Sequence, residues 1–217
     1  MADLTFHQGQ PVLAAGKPLA QAKAAVIMVH GRGATARDIL SLSREFDAPD
    51  VAYLAPQANG NAWYPYRFME PIAANEPYLS SALAVIDGLV KHVEGTGIPR
   101  DKIVLLGFSQ GACLATEFAA RNAGRYGGVV GLSGGLIGPD GTPRDYPGSM
   151  AGTPVFLGCS DVDFHIPKER VDETARIFQA LGGDVTERLY PNMDHTINED
   201  EIDFVNGLLG NLVNVEA

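Results

Sequence analysis

Short apolar segments alternate with helix-like segments along most of this 217-residue chain. The apolar segments are rich in valine, isoleucine and leucine, and they occupy residues 24–29, 51–54, 103–106, 128–132, 155–157 and 185–189. Helical patterns follow them at residues 36–46, 78–93, 111–122, 168–181 and 199–212. Such alternation is typical of an α/β fold with a mostly parallel central sheet and helices on both faces. Residues 4–7 and 11–13 are predicted to form an antiparallel hairpin at the sheet edge.

A serine flanked by glycines, Ser109, stands between the strand at 103–106 and the next helix, in the sequence Gly-Phe-Ser-Gln-Gly. A sharp turn from strand to helix needs small residues two positions before and two after the serine, because side chains there would collide with the neighbouring backbone. Gly107 and Gly111 meet that requirement. The turn exposes the hydroxyl and directs N–H groups of the helix start to the same point. Ser109 is therefore the candidate nucleophile, and a glycine-rich turn without a catalytic role is the alternative.

A second glycine-rich turn, His-Gly-Arg-Gly, follows the strand at 24–29. Where serine is a nucleophile, backbone N–H groups from two separate turns commonly bind the negative oxygen that forms during acyl transfer. The candidates for this oxyanion hole are Arg32 in this turn and Gln110, the residue after the candidate nucleophile. The turn also leads to a helix cap, because Thr35 and Asp38 have the spacing of a capping pair.

Loops after two later strands contain residues that would complete a catalytic triad. His195 follows the strand at 185–189 and is the candidate base. Asp161 and Asp163 follow the strand at 155–157, so the chain order is serine, aspartate, histidine. Counting four residues back from Pro167 selects Asp163 as the acid, whereas counting three residues forward from Gly158 selects Asp161. We prefer Asp163, because its segment sets the turn into the following helix, and Asp161 remains the alternative.

Together these motifs resemble the phospholipase/carboxylesterase family of α/β hydrolases, which includes bacterial carboxylesterases and acyl-protein thioesterases. The resemblance covers nearly the whole chain and includes the two glycine-rich turns, Leu-Ser-Gly at residues 132–134, the Asp-x-x-Ile-Pro segment and the Asp-His pair at 194–195. It implies a compact α/β-hydrolase fold without a separate cap domain, and a serine esterase acting on carboxylic or thio esters. The chain departs from the family pattern where Arg32 replaces leucine, Phe164 replaces proline and Asp194 replaces glycine.

The longest irregular stretch, residues 56–77, contains Trp63 within the sequence Trp-Tyr-Pro-Tyr-Arg-Phe-Met. Long loops in compact domains are commonly functional. In the family a tryptophan-containing segment at this place lies beside the nucleophile, so the resemblance implies that Trp63 is a wall of the substrate pocket. Aromatic packing that pins the loop to the protein body is the alternative. The loop at 136–153 could border the opposite side of the pocket.

Length and charge limit the other functions open to the chain. A chain of 217 residues is most simply a single domain spanning residues 1–217. A formal charge of −10 and a pI of about 4.8 argue against nucleic acid and anionic membranes as partners. The N-terminus lacks a secretory signal and no segment is long enough to span a membrane, which predicts a cytoplasmic location. The two cysteines and five scattered histidines form no metal-binding motif, and no cofactor is needed.

These observations predict a serine carboxylesterase that hydrolyses short to medium acyl esters through Ser109, His195 and Asp163, with a small-molecule ester as its substrate. A lysophospholipase or an acyl-thioesterase with the same triad is the alternative. A non-catalytic α/β-hydrolase binding module is a rival of another class, although such proteins typically lack a triad residue. The chain could be a monomer or a homodimer, because no heptad or long apolar stripe demands an assembly.

Overall fold

The computed structural model describes residues 4–214 and contains a seven-stranded sheet flanked by helices. The strands are β1 (Val12–Gly16), β2 (Ala24–Val29), β3 (Val51–Pro56), β4 (Ile103–Phe108), β5 (Gly128–Leu132), β6 (Pro154–Ser160) and β7 (Asp184–Tyr190). The helices are α1 (Ala36–Ser41), α2 (Tyr78–Gly95), α3 (Gln110–Arg121), α4 (Lys168–Ala180) and α5 (Glu199–Asn214). The spatial order is β1-β3-β2-β4-β5-β6-β7. β1 runs antiparallel to β3, and all other neighbouring strands are parallel.

Helices cover both faces of the sheet, and the residues of β2 contribute alternately to the apolar cores on the two faces. Alternate residues of this strand point to opposite faces, because side chains along a strand have a period of two. Ala25, Ile27 and Val29 pack into the core beneath α2, α3 and α4. Ala24, Val26 and Met28 pack into the core beneath α1 and α5. Both faces are therefore apolar, which explains the continuous apolar runs in the sequence. The predicted mostly parallel sheet with helices on both faces is confirmed.

The predicted N-terminal hairpin is wrong. β1 pairs with the free edge of β3 instead of with residues 4–7. Residues 4–9 form turns, and the His7 N–H donates to Ser81 Oγ at 2.9 Å. The His7 ring also bonds to the carbonyl oxygen of Trp63 at 2.9 Å. Contacts with distant segments therefore hold this part of the chain, and they outweigh the local preference for a hairpin.

The helix predicted at residues 36–46 is shorter than expected. α1 ends at Ser41, and a 3₁₀ turn continues from Leu42 to Glu45. The predicted cap is present at its start: the Thr35 N–H donates to Asp38 Oδ2 at 2.8 Å, and the Asp38 N–H donates to Thr35 Oγ1 at 3.3 Å. This reciprocal cap turns the chain out of the His-Gly-Arg-Gly segment into the helix.

The junction of β4 and α3 requires glycine at two positions because the backbones approach closely. A Cβ atom on Gly111 would lie 2.0 Å from the carbonyl oxygen of Val29 in β2. A Cβ atom on Gly107 would lie 2.3 Å from the carbonyl oxygen of Gly111. Both contacts involve backbone atoms, which cannot rotate away as a side chain can. The two glycines of the serine pentapeptide therefore allow α3 to start directly against the sheet.

We expect Gly111→Ala to lower the free energy of unfolding by about 3 kcal/mol, because the added methyl group would force α3 away from β2. Urea denaturation followed by circular dichroism measures this change. Gly88→Ala is the matched control, since Gly88 is exposed on α2 and a Cβ there meets nothing within 4 Å. The control should gain about 0.5–1 kcal/mol from better helix propensity. Equal stability of Gly111→Ala and the wild type would contradict the close approach.

Candidate active site

Ser109 alone separates β4 from α3, and its backbone is strained, with φ 54° and ψ −121°. Such a conformation costs a non-glycine residue on the order of 1–3 kcal/mol, and strain of this kind concentrates at functional sites. Hydrogen bonds of both the N–H and the C=O of Ser109 hold this backbone conformation. The Ser109 N–H donates to Leu132 O at 2.9 Å, and Ser109 O accepts the Cys113 N–H at 3.0 Å. The hydroxyl does not cap α3, so it remains available at the start of the helix.

His195 and Asp163 lie on separate loops and are joined by a hydrogen bond of 2.6 Å between His195 Nδ1 and Asp163 Oδ2. The other oxygen of this carboxylate, Oδ1, accepts the backbone N–H of His165 at 2.8 Å and that of Ile166 at 3.0 Å. The Asp163 side chain is 0% exposed and that of His195 is 15% exposed. The carboxylate therefore has a fixed orientation, and it holds the histidine ring in turn.

Two opposing effects act on the pKa of Asp163. Burial by itself raises this pKa, but the hydrogen bonds from His195 and from the backbone of His165 and Ile166 outweigh burial and lower it. Asp163 is thus an ionised acceptor at neutral pH, which places the proton of the neutral histidine ring on Nδ1. Nε2 is then the ring nitrogen that can accept a proton.

The other two aspartates near this loop are placed differently. Asp161 is exposed, and its Oδ1 accepts the backbone N–H of Asn192 at 2.8 Å. Asp194 is exposed beside His195. Of the three, Asp163 is the one in contact with the histidine ring. Asp161 instead ties the loop after β6 to the loop after β7.

The peptide between Gly31 and Arg32 is oriented by the buried ring of His30. His30 Nδ1 lies 2.8 Å from Gly31 O, and His30 Nε2 accepts the Ala58 N–H at 3.1 Å. Nδ1 therefore carries the proton that bonds to Gly31 O. Because the C=O and N–H of a planar trans peptide point in opposite directions, the Arg32 N–H is directed away from the His30 ring. Neither this N–H nor that of Gln110 meets an acceptor within residues 4–214.

Trp63 does not line the cavity, and the resemblance-based expectation for it is not met. Its side chain is fully buried, and Nε1 donates to His30 O at 2.9 Å. The Gln110 side chain fixes the same segment, because Oε1 accepts the Trp63 N–H and Nε2 donates to Tyr64 O, each at 2.9 Å. Trp63 therefore packs beneath the His-Gly-Arg-Gly turn. The residues of this segment that line the cavity are Tyr64, Arg67 and Phe68.

The strained serine and the paired histidine open onto one cavity of about 290 Å³. His165 and Ile166 also line it, although the sequence offered no role for either. Their proximity to Asp163 in sequence is the signal that could have identified them, because the turn that presents the carboxylate also exposes the residues after it. The lining residues are Gly31, Arg32, Ala34, Tyr64, Arg67, Phe68, Phe108, Ser109, Gln110, Cys113, His165, Ile166 and His195.

The loop at 136–153 supports the cavity from behind. Buried Arg170 on α4 donates to the carbonyl oxygens of Leu136 at 2.7 Å and Gly138 at 2.6 Å. The Gly138 N–H donates to Phe68 O at 2.7 Å. The Arg170 guanidinium also lies 5.7 Å from the centroid of the Phe68 ring. The loop therefore fixes Phe68, a wall residue, without lining the cavity itself.

The loop that carries His195 ends at a buried carboxyl group, Glu201, in the first turn of α5. The Asn198 N–H donates to Glu201 Oε2 at 2.9 Å, and the Glu201 N–H donates to Asn198 Oδ1 at 3.0 Å. The other oxygen, Oε1, lies against Gly158 and meets no donor within the part of the chain that the structure describes. Burial raises the pKa of Glu201 to about 7.

This raised pKa predicts a pH-dependent stability. An unfolded glutamate has a pKa of about 4.3, so between about pH 4.5 and pH 7 the folded protein binds the extra proton. The free energy of unfolding then falls as pH rises, by up to about 1.4 kcal/mol per pH unit, and the loss ends above pH 7. Glu201→Gln stays neutral, so its stability relative to the wild type should increase by roughly 2–3 kcal/mol across that window.

Urea denaturation at several pH values tests this prediction. Glu199→Gln on the same helical turn is the control, because Glu199 is exposed. It should not reproduce the pH-dependent difference. Parallel pH profiles for Glu201→Gln and the wild type would show that Glu201 is ionised in the folded protein throughout this range.

The sequence model of the phospholipase/carboxylesterase family matches residues 13–212. Acyl-protein thioesterase 1 of Debaryomyces hansenii is 29% identical over 213 residues, an alignment that covers 88% of this chain and 90% of the relative. Lysophospholipase-like protein 1 of Mus musculus is 24% identical over 204 residues, covering 86% and 85% of the two chains.

Solved structures agree with this relationship. A phospholipase/carboxylesterase from Dyadobacter fermentans superposes with a TM-score of 0.90 at 42% identity and covers 95% of this chain and 99% of its own. Within residues 4–214, no helix is both long and apolar enough to cross a membrane. The family match extends over nearly all of the sheet, over the loop that contains Asp163 and over the loop that contains His195. The chain therefore belongs to the phospholipase/carboxylesterase family of serine hydrolases, which act on ester bonds.

Proposed function

We propose that this protein is a serine carboxylesterase in which Ser109 is the nucleophile, His195 the general base and Asp163 the acid that orients His195. The observation that carries the proposal is the shared cavity: a strained serine and a histidine held through Nδ1 by a buried carboxylate line the same space. This arrangement meets the requirement that a base and a nucleophile converge on one reacting atom.

The proposed reaction has two acyl-transfer steps. His195 Nε2 takes the proton of the Ser109 hydroxyl while the serine oxygen attacks the ester carbonyl. The imidazolium then gives this proton to the departing alcohol oxygen, which leaves an acyl-enzyme. In the second step His195 takes a proton from water, the water oxygen attacks the acyl carbon, and Ser109 regains its proton as the acid leaves.

Two backbone amides are proposed to bind the negative oxygen of each tetrahedral intermediate. The Arg32 and Gln110 N–H groups meet no protein acceptor within the described residues, and both residues line the cavity. The bond between His30 and Gly31 O supports this role, because it holds the Arg32 N–H in one orientation before substrate binds. A donor that is already oriented stabilises the transition state without reorganisation.

The size of the cavity favours short to medium acyl chains. Pockets for drug-sized ligands commonly occupy ~300–1,000 Å³, so a cavity of about 290 Å³ is small. Its apolar walls include Tyr64, Phe68 and Ile166, which suit a short acyl chain. Hydrolysis of p-nitrophenyl esters of increasing acyl length tests this size limit, and we expect kcat/KM to peak at short to medium chains. A steady rise up to long chains would contradict the proposal.

An acyl-thioesterase is the second candidate, because fungal relatives bear that name. The same triad can attack either an oxygen or a sulfur ester. A matched pair separates the two functions: the butyryl thioester of N-acetylcysteamine and the butyryl ester of N-acetylethanolamine differ only in the sulfur and oxygen. We expect the oxygen ester to be a good substrate. A large preference for the thioester, or for long-chain acyl thioesters, would favour the thioesterase instead.

Labelling with a fluorophosphonate tests whether the site is catalytic. Such reagents form a covalent bond with an activated serine, so we expect one label per chain, located on Ser109. Failure to label the folded wild type would support a non-catalytic binding module. The cytoplasmic location and the choice between monomer and homodimer stay predictions from the sequence.

A further inference from the structure

The cavity has a charge opposite to that of the whole protein. The chain contains 26 aspartate and glutamate residues against 16 lysine and arginine residues. Arg32 and Arg67 nevertheless line the cavity, and no aspartate or glutamate does. The nearest acid of the site, Asp163, has a fully buried side chain that is bonded to His195. A ligand in the cavity thus meets two positively charged side chains in an otherwise acidic protein.

Arg67 has a fixed backbone and an unpaired side chain. Buried Asn75 holds the backbone, because its Nδ2 donates to Arg67 O at 3.1 Å and its Oδ1 accepts the Tyr66 N–H at 2.9 Å. The Arg67 guanidinium forms no ion pair or hydrogen bond with any residue in the described range 4–214. It is exposed and lies at the cavity. An exposed guanidinium of this kind can form paired hydrogen bonds to a carboxylate or phosphate.

Arg32 is positioned by neutral groups only. Its Nη1 donates to Pro65 O at 2.9 Å and its Nη2 donates to Tyr66 O at 2.5 Å. These carbonyl groups orient the guanidinium without neutralising it. Its carbon Cζ also lies 5.9 Å from the centroid of the Tyr64 ring, a wall of the cavity. Arg32 therefore adds a second uncompensated positive charge beside Arg67.

We infer that this esterase selects esters that carry an anionic oxygen group, a carboxylate or a phosphate, close to the scissile carbonyl, with Arg67 as the main contact and Arg32 as a supporting charge. This inference rests on the proposed function, since it concerns the substrate of the same cavity. Two charged hydrogen bonds in a partly enclosed site typically improve binding at least about tenfold. The selectivity is measured as the ratio of kcat/KM for an anionic ester to that for its neutral counterpart.

Matched pairs of esters test whether the anionic group is recognised on the acyl side or on the alcohol side of the ester bond. The acyl-side pair is mono-p-nitrophenyl adipate and its uncharged terminal amide, and the alcohol-side pair is 3-butyryloxybenzoate and 3-butyryloxybenzamide. A fifth ester, the butyryl ester of a hydroxyphenyl phosphate, compares phosphate with carboxylate. After subtraction of the enzyme-free rate, we expect one pair to give a ratio of about ten or more at low salt, mainly through KM. High salt should reduce this ratio, because salt screens exposed charges.

Variants test whether Arg67 produces the selectivity for anionic esters. Arg67→Gln should lower the ratio about tenfold, and Arg67→Lys should restore part of it because the charge is retained. Arg37→Gln is the control, since Arg37 is exposed on α1 and does not line the cavity. It should leave the ratio unchanged. Ratios at or below one in every wild-type pair, or an unchanged ratio in Arg67→Gln, would overturn the inference.

A binding measurement separates this inference from the proposed function. Calorimetry on Ser109→Ala measures the affinity for adipate and for adipamide, which requires no catalysis. Tighter binding of adipate that is lost in the double variant with Arg67→Gln supports the anion site even if no ester is hydrolysed. Ester hydrolysis that depends on Ser109 but shows no anion preference, together with equal binding of adipate and adipamide, would refute the anion site and leave the esterase proposal intact.

Discussion

Ser109→Ala is expected to lower kcat for p-nitrophenyl butyrate on the order of 10⁶-fold, because it removes the hydroxyl on which the proposed acyl-enzyme forms. Residual hydrolysis on the order of 10³-fold to 10⁴-fold above water would come from the oxyanion donors and substrate binding. The variant should remain folded, since alanine occupies the same strained turn and the backbone bonds to Leu132 and Cys113 remain available. Burst-phase spectrophotometry and active-site titration measure the loss.

Ser41→Ala is a suitable control for this experiment. Ser41 is an exposed serine at the end of α1, and its hydroxyl bonds to Asp38 O rather than reaching the cavity. Its kcat should equal that of the wild type. Activity of Ser109→Ala within tenfold of the wild type would reject Ser109 as the nucleophile.

Asp163→Asn is expected to lower kcat about 10⁴-fold, because it should impose the wrong tautomer on His195. In the wild type, Asp163 Oδ1 accepts the backbone N–H groups of His165 and Ile166. In the variant the amide oxygen of the asparagine must take this position, because an NH₂ group there could not accept these hydrogen bonds. The amide NH₂ then occupies the position of Oδ2 and faces His195 Nδ1. Nδ1 would become an acceptor and Nε2 would carry the proton, which prevents Nε2 from accepting the proton of Ser109.

Asp161→Asn distinguishes the two candidate acids. Its Oδ1 accepts the Asn192 N–H and does not contact the histidine ring, so this variant should lose less than about tenfold in kcat. Nitrogen NMR of the labelled imidazole should in addition report a change of tautomer in Asp163→Asn alone. A large loss in Asp161→Asn with little loss in Asp163→Asn would reverse the assignment.

The sequence by itself was sufficient for the architecture, and it also selects Ser109 and His195 as the candidate nucleophile and base. Strands β2 to β6 and the five helices follow from local periodicity, because burial on both faces of a parallel sheet requires continuous apolar runs and amphipathic helices between them. The predicted edge strand β7 is only partly buried and more polar. The glycines around Ser109 likewise encode a close backbone approach that is local to the β4–α3 turn. The histidine after β7 is identified by its position at a strand end, where this fold collects its loops.

Tertiary structure decided the features that depend on segments far apart in the chain. Counting from either end of the loop after β6 could not choose between Asp161 and Asp163, since the choice of partner depends on how this loop meets the one bearing His195. The edge pairing of β1 depends on the free edge of β3, which no local pattern reveals.

Contacts between segments far apart in the chain also decide which residues line the cavity. Trp63 and Tyr64 are neighbours in sequence, yet Trp63 is buried beneath the His-Gly-Arg-Gly turn and Tyr64 lines the cavity, because the Gln110 side chain fixes the rotation of that segment. The cationic lining by Arg32 and Arg67 is also hidden in a sequence with a net charge of −10. Local propensity thus determines the elements and the sharp turn at Ser109, whereas long-range side-chain contacts determine which residues line the cavity.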